Sequence, residues 1–156
     1  MRSRFRSVPA MLSGLLLLGS AATLGAWRAA PAPLPAMRVV KSASCGCCGK
    51  WVEYMRKEGF TVTVENRDEF TALNRANGVT ADLESCHTAF VGGYVIEGHV
   101  PADLVKKLLA DHPAGVKGLS APGMPQSAPG MDIPTKEKYT IYQFDGQGRS
   151  KVYAVR

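Results

Sequence analysis

The 156-residue chain has no serine–histidine–acid arrangement, no phosphate-binding glycine loop and no carboxylate pair spaced for acid–base work. Serine-hydrolase, carboxylate acid–base and phosphate-loop chemistries therefore have no motif here to support them. It also has no internal repeat, which removes solenoid and propeller architectures. Acidic residues are missing before Met37, whereas four of the 19 basic residues, Arg2, Arg4, Arg6 and Arg28, lie there. The remainder holds 15 basic against 13 acidic residues, too even a balance for the basic stripe that nucleic acid requires. Cysteine is scarce: four residues, gathered at two short sites.

Arg2, Arg4 and Arg6 are followed by an uncharged run from Ser7 to Trp27 that includes Leu15-Leu16-Leu17-Leu18. A basic start and an apolar stretch read as an export signal over residues 1–28. If retained, the same run is about the 20 residues that span a bilayer and would serve as an N-terminal membrane anchor. There is no twin-arginine pair, and Ala30-Pro31-Ala32 offers one cleavage site. Residues 29–36 form a Pro/Ala linker, and residues 37–156 are long enough for one domain with its own core. Export implies an oxidising compartment, in which disulfides persist.

The cysteines stand in Cys45-Gly46-Cys47-Cys48 and Ser85-Cys86-His87-Thr88. Two structural disulfides would be the plain expectation for an exported chain, but three thiols within four positions cannot all staple distant segments. Cys45 and Cys48 have C-x-x-C spacing at a helix start, where free N–H groups and the dipole favour thiolate; this suits a thiol–disulfide oxidoreductase. Cys47 adds a competing exchange partner to such a cycle. As ligands, three thiolates on one loop with a fourth facing them make a soft cage for copper(I), and bridging thiolates suit a small cluster. Structural zinc normally uses two C-x-x-C pairs or their histidine variants, a pattern this spacing matches poorly.

Periodicity places strands at Met37–Lys41, Phe60–Glu65, Thr88–Val91 and Tyr94–Glu97, the last two flanking the hairpin signal Gly92-Gly93. Helices are expected over Lys50–Glu58, Asp68–Ala76 and Pro101–Ala110, with Ser42–Gly49 as a loop. The order β-α-β-α-β-β-α is that of a minimal thioredoxin-like α/β domain, a mixed sheet flanked by helices. Residues 115–134, rich in Gly, Pro and Ala, read as a long loop, and Tyr139–Phe144 with Lys151–Val155 as an appended C-terminal β-hairpin. In that fold the first strand-to-helix turn, the start of the third strand and the end of the fourth share one sheet edge. Cys86 is therefore expected to face Cys45, Cys47 and Cys48, and His99 to arrive beside them.

His87, next to Cys86, is expected to point to the opposite face if the segment is extended; if the backbone turns there it becomes a ligand candidate, with a satisfied, partly buried histidine an equal alternative. His112 at a helix end favours the dipole. Met124 and Met131, each in a Pro-Gly-Met setting, are soft thioethers that bind copper(I) or, equally well, bury themselves to anchor the loop.

These motifs, with Trp51, Gly93-Tyr94-Val95-Ile96-Glu97-Gly98-His99-Val100-Pro101-Ala102 and Pro122-Gly123-Met124-Pro125, resemble the CopG-like periplasmic copper-resistance proteins, many of them known only as a metal-binding domain of unknown function. The resemblance runs from Val39 to Phe144. It implies a thioredoxin-like fold, a periplasmic location, copper held by Cys45, Cys47, Cys48 and Cys86, and a role in interconverting copper(I) and copper(II). Its partners would be copper ions and other copper-handling proteins of that compartment. His99, Met124 and Met131 are secondary ligand candidates. One departure is Gln126-Ser127-Ala128-Pro129-Gly130-Met131, which lacks the Gly-Ser expected in this loop.

Overall fold

A computed structural model describes residues 32–131 and 133–156. The segment 1–28 and the first part of the linker lie outside the described residues, and residues 32–36 lead without regular structure into the first strand. Seven strands and three helices follow: β1 (Met37–Lys41), α1 (Gly46–Lys57), β2 (Val62–Asn66), α2 (Thr71–Ala76), β3 (His87–Val91), β4 (Tyr94–Gly98), α3 (Ala102–Asp111), β5 (Gly118–Ala121), β6 (Thr140–Phe144) and β7 (Ser150–Val155). None of the described helices is long and apolar enough to cross a membrane.

The fold is mixed α/β, one sheet in the order β2-β1-β3-β4-β5-β6-β7. β1 pairs parallel with β2 and antiparallel with β3, β3 antiparallel with β4, and β4 parallel with β5. β6 pairs antiparallel with both β5 and β7. Strand alternation sends Met37, Val39, Ala89, Val91, Ile96, Leu119 and Ile141 into the larger core with Trp51, Val52 and Met55 of α1 and Leu104, Val105 and Leu108 of α3. A smaller core joins Val95 and Phe144 to Val79 and Leu83.

Two boundaries differ from the sequence reading in ways that matter. The cysteine segment is not a loop up to Gly49: α1 begins at Gly46, so Cys47 and Cys48 lie in its first turn and Cys45 caps it. Two glycines hid this helical start, because glycine is a poor helix former, yet neither meets a crowded position here. Residues 115–134 are likewise not loop throughout. Gly118-Leu119-Ser120-Ala121 forms β5, fully buried between β4 and β6. Its residues have little intrinsic strand preference, and pairing on both sides decides the matter.

Gly118 is required by space. A Cβ there would run into the Val95 carbonyl and lie 2.7 Å from Phe144 Cζ. Gly118→Ala is expected to cost about 1–3 kcal/mol or more, as overpacking does. Gly146→Ala, which meets nothing within 4 Å, should stay within about 0.5 kcal/mol of wild type. Urea denaturation midpoints of the two variants test this contrast.

Candidate metal centre

Because β1 and β3 run antiparallel, as do β3 and β4, the end of β1, the start of β3 and the end of β4 meet at one edge of the sheet. α1 starts there. The four cysteine sulfurs lie within 4.8 Å of one another, although Cys86 is 38 residues from Cys48. A second group, Cys86, His87 and His99, has ligand atoms equally close together, so Cys86 belongs to both.

Cys45 caps α1 through its sulfur, which accepts the Cys48 N–H at 3.4 Å. No acidic residue occupies the first helical turn, so the positive end of the helix faces the sulfurs uncompensated. Cys45 and Cys48 are joined as a disulfide, while Cys47 and Cys86 are free thiols. Cys47 Sγ lies 3.6 Å from Cys45 Sγ, and Cys48 Sγ lies 3.4 Å from the Cys86 carbonyl oxygen. Cys48 is fully buried; Cys45, Cys47 and Cys86 are half-buried.

His99 Nε2 lies 3.1 Å from Cys86 Sγ, and its Nδ1 lies 2.8 Å from the Pro129 carbonyl oxygen. A carbonyl only accepts, so Nδ1 carries the proton and Nε2 turns its lone pair toward the sulfur. The loop that supplies Pro129 is tied down twice more. Gly130 packs on the start of α1 so closely that a Cβ would sit 2.7 Å from Trp51 N and 3.0 Å from Cys47 O. Gly123 donates its N–H to Glu84 O at 2.9 Å, and its carbonyl accepts from Ser85 Oγ. Each Pro-Gly-Met glycine thus touches one flank of the cysteine cluster. Met131 is half-buried, whereas Met124 is 58% exposed and faces a shallow hollow lined by Gln126, Glu137 and Tyr139.

His87 follows the turned alternative and not the extended one. It does not point away from Cys86: its Nδ1 lies 3.6 Å from Cys86 Sγ. Cys86 occupies a bend before β3 begins at His87, so strand alternation does not apply between the two. The His87 ring is buried between Trp51, at 4.5 Å, and His99, at 4.9 Å between centroids. Its Nε2 has no hydrogen-bond partner among the described residues, an exposed cost for a buried polar atom. Trp51 is itself fixed by donating Nε1–H to Val100 O at 3.0 Å.

Sequence places Glu97 in a strand without a site role; the structure gives it one. Fully buried, its carboxylate accepts the Ser85 N–H at 2.7 Å, directly before Cys86. The other oxygen lies 2.7 Å from Thr88 Oγ1, which is also 2.5 Å from Asn74 Oδ1 of α2. Thr88 has one hydroxyl proton for two oxygens. A protonated Glu97 resolves the count by donating to Thr88, which donates on to Asn74. A lone acid in the apolar run Tyr94-Val95-Ile96 was the available signal.

Burial sets the charge of all these groups. It pushes the Cys86 thiol up to about 12, with negative charge on Cys47 adding to the effect. It holds His87 well below the usual histidine range, helped by the neighbouring His99, and lowers His99 as well. It raises Glu97 to about 7. Burial therefore favours the thiol form of Cys86 and the neutral imidazoles of His87 and His99.

Fold and donors together define a mixed α/β protein with a candidate soft-metal centre at a sheet edge. Solved structures of copper resistance protein copG, in two forms, superpose with a TM-score of 0.73 at 33% identity, covering 79% of this chain and 98% of theirs. The family described as "Protein of unknown function, DUF411" matches residues 83–131. No curated protein sequence matches the chain. The chain belongs to the CopG-like family of copper-resistance proteins.

Glu97 generates a pH prediction. Its pKa is raised from 4.5 to about 7 on folding, so between those values the native state holds a proton that the unfolded chain loses. The Glu97 contribution is fully present below pH 4.5 and is lost as pH rises through about 7. Lowered His87 and His99 act in the opposite sense, favouring the native state as pH rises toward 6.5. Glu97→Gln removes only the first effect. Its stability relative to wild type should climb by about 1.4 kcal/mol per pH unit across that window, measured by denaturant titration at several pH values.

Proposed function

We propose that this is an exported copper-binding protein of periplasmic copper resistance, built on a thioredoxin-like plan. It holds copper(I), or a small thiolate-bridged copper cluster, through Cys45, Cys47, Cys48 and Cys86, and supports interconversion of copper(I) and copper(II). The observation that carries the reading is the convergence of four sulfurs from two distant segments with the Nε2 of His99. Copper(I) favours such soft donors. The orphaned, buried Nε2 of His87 fits a pocket whose polar atoms are completed by a guest. His99 and Met131 are further donors, and Met124 joins from the exposed flank when its loop swings inward. A Pro129 carbonyl that orients a ligating imidazole is the outer support that metal-binding histidines usually have. The leader over residues 1–28 delivers the domain, which is released or left tethered to the inner membrane.

A second reading has its own support. The Cys45–Cys48 disulfide at a helix cap is the arrangement of a thiol–disulfide oxidoreductase. Beside it lies an open hollow lined by Gly46, Gly49, Tyr54 and Gly130, which would seat a substrate polypeptide.

Copper per chain, measured by elemental analysis after anaerobic loading of the reduced protein and removal of excess metal, separates the two. One or more ions should remain on wild type. Cys86→Ser should lower copper(I) affinity by more than the roughly 10–100-fold typical of losing an outer-shell partner, measured by chelator competition. Negligible copper on folded, reduced wild type, with insulin reduction near a thioredoxin control and unaffected by Cys86→Ser, would establish the second reading instead.

A further inference from the structure

The site offers two donor sets that share Cys86 and differ in one covalent bond. The four-sulfur set exists only while Cys45 and Cys48 are thiols. The set of Cys86, His87 and His99 needs neither of them. With Cys45 and Cys48 joined, Cys47 and Cys86 are still free thiols. The pair closes without disturbing the helix, since its Cα atoms are 5.4 Å apart at the cap and first turn of α1, within the normal span of a disulfide. Imidazole and thiolate together suit copper(II), whereas an all-thiolate cage suits copper(I).

We propose that Cys45 and Cys48 are the electron source of the site, a dithiol that reduces two copper(II) ions while Cys47, Cys86, His87 and His99 hold the metal. The proposal rests on the copper-binding reading above and names the reductant within it. Copper(II) is the substrate. The two S–H bonds of Cys45 and Cys48 break, releasing two protons. Each sulfur gives up one electron to one copper(II), the S–S bond forms between them, and two copper(I) ions result. The new bond withdraws two thiolates from the four-sulfur set, so the products are left with fewer soft ligands and become easier to hand on. A dithiol reductant from outside then restores the pair through a mixed disulfide and is itself oxidised to a disulfide. Cys47 Sγ, 3.6 Å from Cys45 Sγ, is close enough to compete, and the helix-cap position of Cys45 directs the bond to Cys48, whose N–H already rests on its sulfur.

The test gives two equivalents of copper(II), without air, to the fully reduced full-length chain. Copper(I) is read with a chromogenic chelator, remaining thiols by alkylation and mass, and the new bond by peptide mapping. The expected result is two copper(I) per chain, a Cys45–Cys48 disulfide, and free thiols on Cys47 and Cys86. Cys47→Ser, which loses a ligand, should retain less copper but still form one Cys45–Cys48 bond for every two copper(I) produced. Cys45→Ser, which keeps a good helix cap, should leave copper(II) unreduced over the time in which wild type finishes. Copper(I) retention by the reduced protein is measured in parallel. If copper(I) is retained but copper(II) leaves all four thiols intact, or oxidises Cys47 with Cys86 or joins separate chains, this proposal is overturned and the copper-binding reading survives. If copper(I) is not retained, both fall.

Discussion

One hydrogen bond, from the His99 ring to the Pro129 carbonyl at 2.8 Å, holds together everything that makes the sheet edge a site. It fixes which His99 nitrogen carries the proton and therefore turns a lone pair toward Cys86. It also fastens the proline-rich segment after β5 across the cluster, where Gly130 can lie on the first turn of α1 and Gly123 beside Ser85. Without that strap the cysteines of α1 would face solvent on one side, and the Cys86 bend would keep only the Glu97 tether at Ser85 N–H. The carbonyl is a backbone atom, so the bond constrains the path of residues 122–131 more than it constrains their identity. The lack of the expected Gly-Ser in residues 126–131 is therefore compatible with a loop that still closes: Ala128 is buried, and its N–H reaches Pro125 O at 3.0 Å.

The convergence of the cysteines was legible because it follows from topology. A strand–helix unit, a hairpin signal at Gly92-Gly93 and a helix after Pro101 are enough to bring the end of β1, the start of β3 and the end of β4 to one edge. Features set by tertiary context were not legible. β5 has a weak local pattern and is a strand because β4 and β6 enclose it on both sides. The orientation of His87 depends on a bend at Cys86, and no alternation rule survives a bend. The start of α1 is hidden because Gly46 and Gly49 look like loop, although a Cβ at either would meet nothing within 4 Å; the glycine that the close approach requires is Gly130, on the loop carrying Pro129.

Glu97 shows the same division at the level of energetics. Sequence places it on a strand, and alternation puts it with Thr88 on the face toward α2 rather than with the cysteines. Its influence on the site passes through the backbone: one carboxyl oxygen holds Ser85 N–H and so the residue next to Cys86. The supports of the metal-facing side chains are thus divided between two faces of the sheet. Pro129 orients His99 from the α1 side, and the Glu97–Thr88–Asn74 chain anchors the Cys86 segment from the other. Polar networks of this kind stabilise only when every member is satisfied, and the proton on Glu97 is what satisfies this one.

A pocket of soft donors faces a conflict between readiness and cost. Four thiolates within 4.8 Å of one another would repel strongly, and in a half-buried site that repulsion is poorly screened. Two features of the site lower this cost. Burial keeps Cys86, His87 and His99 uncharged, and the Cys45–Cys48 bond takes two sulfurs out of the count. The geometry of the cage is then present before its charge is. On the copper-binding reading, metal would displace the Cys86 thiol proton, so affinity would rise with pH and proton release would accompany loading. Readiness is thus kept in the fold, through the strap, the helix cap and the Glu97 anchor, while the electrostatic cost is deferred until a cation arrives to offset it.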